Sequence, residues 1–202
     1  MLEILWAALR QIKFACKLRA IMRVWVFKEE VEMKANQFEE AVVSPSAAGL
    51  NWSADLHTGD GRMDNTHEEF VTMLNALLLT PQTEQLNLYR EFLNHTVEHF
   101  AQEDRWMLAT GFSEDNCHAG QHATILETMR AVETHYVQGD TEIISRLAEA
   151  LAEWFPQHAT SMDAGLALHL KSVNFDSETE TLADPSLIKN VTMSGCGSVS
   201  CS

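Results

Sequence analysis

The chain has 202 residues, 46% of them hydrophobic, and a formal net charge of −15. That length suits one domain with a sizeable core plus tails, and a surface this acidic repels phosphate backbones, which argues against nucleic acid as a partner of the main domain. The four cysteines, Cys16, Cys117, Cys196 and Cys201, are scattered and form no C-x-x-C pair. The chain therefore reads as no disulfide scaffold, and a reducing cytoplasm is the simplest compartment.

Taken in chain order, residues 1–28 carry six Lys or Arg and one acid, Glu3. The stretch is apolar but interrupted by Arg10, Lys13, Lys17, Arg19 and Arg23. It fits neither a signal peptide, which wants its charges first, nor a membrane span, which wants roughly 20 residues nearly free of charge. Residues 1–50 are expected to be a poorly ordered extension, with Met33 an alternative start. An interfacial helix that touches a membrane is the competing reading. Residues 41–62, with Pro45, Gly49, Gly59 and Gly61, read as a connecting loop.

Four helical patterns follow. The first runs from about Asp64 to Leu79 and stops before Pro81. The second runs from about Thr83 to Ala109, with Gly111 beyond it as a C-terminal stop. The third starts near Ser113, a candidate cap followed by Glu114 and Asp115, and ends before Gly139. The fourth runs from Asp140 or Thr141 to about Leu170. Strand alternation is absent and the connections are short, so neighbouring helices should run antiparallel. The expected fold is all-α: an up-down-up-down four-helix bundle over residues 51–170, with flexible N- and C-terminal extensions. Residues 171–202, rich in Ser, Thr and acids, read as a mobile tail.

At about 100° per residue, each helix points at least one imidazole along its own apolar stripe. His67 shares a face with Phe70, Leu74 and Leu77. His99 and Glu103 share one with Leu88, Phe92 and Trp106. His118 and His122 align with Ile125, Met129 and Val132, and His158 aligns with Ile144, Leu147, Leu151 and Trp154. Buried imidazoles and carboxylates must be satisfied, and a metal satisfies them together. His99–Glu103 and His118–His122 are i, i+4 pairs that stand one above the other on a helix. His158 and Asp163 are five apart, about 140° on a straight helix. A kink at Pro156 is the expected device for bringing them to one site.

The ordered set is His, H-x-x-x-E, H-x-x-x-H and H-x-x-x-x-D, in the contexts MDNTHEEF, HFAQED, HAGQH and WFPQHATSMD. It resembles the hemerythrin family, and bacterial hemerythrin-like proteins in particular, over about residues 50–170. Myohemerythrin, a close relative, is a standard example of the four-helix bundle. The resemblance implies a cofactor of two non-heme iron ions with a bridging oxo or hydroxo group. It places His118, His122 and His158 on one iron, His67 and His99 on the other, and Glu103 and Asp163 across both. The second iron would then have an open position for a small ligand. The implied function is reversible dioxygen binding, for carriage, storage or supply, rather than an enzyme. Phe100, Trp154 and Leu151 are the expected lining of the apolar pocket.

Three other readings compete: a di-iron oxidoreductase acting on peroxide or oxygen, an oxygen or redox sensor using the N-terminal segment, and iron or nitric oxide handling. His95, one turn before His99, reads as a core or supporting residue. His57 has no assigned role, and His135 and His169 read as solvated. Cys117 reads as a packing residue. Gly120 either permits a close helix approach or has no role. Cys196 and Cys201 form a weak candidate thiol pair.

Overall fold

The computed structural model describes residues 49–112 and 116–190. The N-terminal extension, the Ser113 cap with Glu114 and Asp115, and the Cys196–Cys201 pair lie outside the described residues. Helix α1 spans Gly61–Leu79, α2 Gln85–Ala109, α3 Cys117–Val137 and α4 Ile143–His158. A π turn, Ala159–Asp163, joins α4 to α5, Ala164–Ser172. None of the described helices is long and apolar enough to cross a membrane.

Local chemistry sets the helix ends. The Asp60 side chain caps α1 by accepting from the Met63 N–H at 3.0 Å. The Asp64 carboxylate accepts from the Thr58 N–H and hydroxyl at 2.7 and 2.8 Å, tying the preceding loop to the first turn. At the end of α2, Gly111 takes φ +90°, the Phe112 N–H reaches the Met107 carbonyl and the Gly111 N–H the Leu108 carbonyl. This is a Schellman stop, and it needs the left-handed residue that glycine supplies without strain. Among the described residues, the cap of α3 is Asn116, whose side chain accepts from the Ala119 N–H at 2.9 Å.

Short connections make consecutive helices antiparallel. Helix α1 packs on α2 and α4, and α3 packs on the same two, closing a four-sided bundle. Its main core holds Phe70, Leu74, Phe92, Phe100, Met129, Ile144 and Phe155. A second cluster at one end gathers Met63, Trp106, Phe112, Leu166 and Leu170 with Val173 and Phe175. The last two belong to the segment expected to be a mobile tail. That segment instead continues α5 to Ser172 and forms a hairpin, β1 Phe175–Asp176 with β2 Thr181–Leu182. Arg105 holds the hairpin turn by a two-pronged contact to Glu180, at 2.9 and 3.1 Å.

Candidate metal centre

All seven residues singled out in the sequence converge between the four helices. His67 comes from α1, His99 and Glu103 from α2, His118 and His122 from α3, His158 from the end of α4, and Asp163 from the π turn. None is more than 3% exposed. Two groups of side chains present ligand atoms close enough to hold an ion: Glu103, His118, His122, His158 and Asp163 form one, and His67, His99 and Glu103 the other.

The carboxylates lie between these groups, and each divides its oxygens. Glu103 turns Oε1 to His99 Nε2 at 3.1 Å and to His67 Nε2 at 3.4 Å. Its Oε2 is 3.4 Å from both His118 Nε2 and His122 Nε2. Asp163 places Oδ2 3.3 Å from His67 Nε2, and Oδ1 2.9 and 3.2 Å from His118 and His158 Nε2. His122 and His158 point Nε2 atoms at each other, 3.3 Å apart.

The spacing of His158 and Asp163 is explained by the π turn. The Ala164 N–H bonds the Ala159 carbonyl, five residues back. A turn closed at i+5 holds one more residue than an α turn. The residue five on therefore takes the place that the residue four on has in an α-helix. Pro156 does lie inside α4, but the alignment comes from the wide turn that follows it. The hydroxyls of Thr160 and Ser161 donate to the Pro156 and Gln157 carbonyls, a back-bonding that bends helices.

The chemistry of the donors fits a metal. His67 Nε2, His118 Nε2, Glu103 Oε2 and both oxygens of Asp163 are buried with no protein hydrogen-bond partner. Buried polar atoms are ordinarily paired, and a cation would satisfy these five together. Protonation is divided across the cluster. Burial pushes His158 down to about 4 and lowers His99, so both imidazoles are neutral donors. Burial alone would raise the carboxylates, and Glu103 also acts to raise Asp163. His99, with close contacts from His118, His122 and His67, nevertheless holds Glu103 well below its ordinary value. His158 and His118 do the same for Asp163. His118 and His67 go the other way: burial lowers both, but the close carboxylates of Asp163 and Glu103 raise His118 to about 10 and lift His67 above its ordinary value.

Sequence reading missed several residues around the cluster. The His122 Nδ1–H donates to Asp104 Oδ1 at 2.9 Å, and the His158 Nδ1–H donates to Gln121 Oε1 at 3.1 Å. The only sequence signal for either was adjacency to a ligand candidate. Phe100 stacks on His122 at 4.0 Å and Trp154 on His158 at 4.4 Å, so these two expected pocket residues cover the three-imidazole group. Around His67 stand Phe155 at 5.2 Å and Trp52 at 6.2 Å, the latter from the loop before α1. His57 stacks on Trp52 at 5.0 Å. His95 lies beside His99, with Nδ1 3.7 Å from Glu69. His169 is buried rather than solvated, and its Nε2–H donates to the Thr110 carbonyl. Cys117 is disulfide-bonded rather than a plain packing residue. Among the described residues a Cβ at Gly120 would meet nothing within 4 Å, so none of the described helices approaches closely there.

Fold and site together define a metal-binding helical bundle whose donors are five imidazoles and two carboxylates. The hemerythrin HHE cation binding domain matches residues 58–168, and the chain belongs to the hemerythrin family. It thus carries a hemerythrin-type iron-binding domain. It is 34% identical over 134 residues to a bacteriohemerythrin of Ralstonia nicotianae, covering 66% of this chain and 98% of that protein. A bacteriohemerythrin of Pseudomonas aeruginosa is 27% identical, covering 58% of this chain and 79% of the relative. A hemerythrin-like protein of Naegleria gruberi is 22% identical, covering 56% and 87%. No solved structure matches the chain significantly.

Proposed function

We propose that this protein binds dioxygen reversibly at two non-heme irons bridged by a solvent-derived oxo or hydroxo group. His118, His122 and His158 would hold one iron, and His67 and His99 the other, with Glu103 and Asp163 spanning both. The observation that carries this reading is the division of oxygens: each carboxylate turns one oxygen to each group of imidazoles. A carboxylate serving a single ion has no reason to be placed so.

The imidazoles divide three against two, so an iron held by His67 and His99 would have one protein ligand fewer and could take a small molecule in that position. When bound, the iron pair supplies the two electrons that dioxygen takes up on binding and returns on release. The chain supplies the surroundings. Phe155, Phe70 and Trp52 make the walls beside His67 and His99 apolar, which keeps out water and stray protons that would make the uptake irreversible. Five imidazoles against two carboxylates also favour binding over oxidation of substrates, since related ferritin-like di-iron bundles use more carboxylates.

The test is the optical spectrum of anaerobically reduced, iron-quantified protein, recorded before oxygen, after oxygen and after its removal. Two irons per chain with oxygen-dependent bands that vanish on deoxygenation are expected. Irreversible oxidation with peroxide released or consumed would replace this reading with that of an oxidoreductase.

A further inference from the structure

The two halves of the cluster are supported unequally. Helix α2 supports a ligand candidate on α3, through Asp104 and His122. Helix α3 supports one on α4, through Gln121 and His158. Both bonds are made at Nδ1, so they settle which ring nitrogen carries the proton and aim the Nε2 lone pair into the cluster. The series stops there. His67 Nδ1 and His99 Nδ1 are equally buried and have no hydrogen-bond partner among the described residues. Among those residues only packing holds these two rings in orientation. Hydrogen bonds of this outer kind ordinarily fix ring orientation and strengthen ligation, and their loss costs roughly 10- to 100-fold in metal affinity.

We infer that Asp104 and Gln121 are positioning residues that make the three-imidazole site the retentive one, while the site at His67 and His99 is the labile one. The inference rests on the di-iron reading above. It assigns Asp104, half-exposed at the bundle surface, a role that its exposure would not suggest. The labile ion is also the one proposed to have an open position.

The test is release of iron from the full, iron-loaded chain to a chromophoric ferrous chelator under anaerobic conditions. Two phases of equal amplitude are expected in the unaltered protein. His67→Ala should abolish the fast phase and leave the slow one. Asp104→Ala and Gln121→Ala should each speed the slow phase roughly 10- to 100-fold with the fast phase unchanged. Asp104→Asn, which keeps an acceptor oxygen, should restore most of the slow behaviour. A single phase for two irons, or an Asp104→Ala variant that alters both phases alike or neither, would overturn the inference. A chain that holds one iron from the outset would instead end the di-iron reading. The effect of Asp104→Ala on that iron's release would still decide the positioning role.

Discussion

His118 shows how far a single residue departs from the behaviour its sequence implies. Buried among Glu103 and Asp163, it keeps a proton up to about pH 10 when no ion is bound. To ligate a cation it must give that proton up, so metal loading and proton release are linked. Loading at pH 7 to 8 is expected to acidify a weakly buffered solution, and His118→Gln should release less acid per iron; a pH indicator reads both. The sign for stability follows from the same shifts. The raised His118 stabilises the metal-free fold below about pH 6.5, and this is lost as pH rises through about 10. The depressed Glu103 and Asp163 stabilise it above the ordinary carboxylate range of about 4, and this is lost in acid. The lowered His99 and His158 add stability above about pH 6.5 that is lost as pH falls, so the melting temperature of metal-free protein should be highest near about pH 6.5 and fall on either side. Iron retention should instead fall steadily towards acid, because protons compete for the imidazoles.

At the scale of elements, the π turn decides the site. Regular helix geometry puts His158 and Asp163 on different faces, and the sequence offered Pro156 as the visible cause of any deviation. The turn that does the work, Ala159–Asp163, contains no glycine or proline, and its composition gave no warning of a widened turn. It behaves as one residue inserted into an otherwise continuous helix. Deleting exposed Thr160 should thus restore i→i+4 bonding while leaving Asp163, Leu166 and Leu170 on their present faces, and iron content should survive. Deleting exposed Glu153 from the regular part of α4 should turn His158 about 100° relative to the preceding helix and lose iron. Iron stoichiometry, with helical content as the control for folding, separates the two. The helices themselves were well legible: α1, α2 and α3 lie close to the spans read from apolar periodicity and the Gly and Pro stops.

Across the whole molecule, the seven candidate donors and the bundle that carries them were visible in the chain, but the end of the domain was not. Residues after Leu170 lack helical periodicity and are polar overall, yet Val173 and Phe175 are buried against Met63, Trp106 and Leu166. The hairpin strands are two residues each, too short for alternation to register. Phe175→Ala is expected to cost about 3 kcal/mol by opening that cluster. Arg105→Ala, which removes a half-exposed ion pair, should cost under about 1 kcal/mol. Urea denaturation midpoints compare them, and equal losses would mean the hairpin is held by its charges and not by its apolar side.

The sequence by itself determined the helix periods, the faces carrying His67, His99, Glu103, His118, His122 and His158, and the resemblance those residues make together. All of that follows from local rules, because a side chain's direction on an α-helix depends only on its position along the chain. Only the tertiary structure decided that Asp163 joins the others through a π turn. It also decided that Glu103 and Asp163 divide their oxygens between two imidazole groups, and that Asp104 and Gln121 support one group while the other is left to Phe155 and Trp52. Those outcomes depend on distances between helices, which the order of residues along any one helix does not contain.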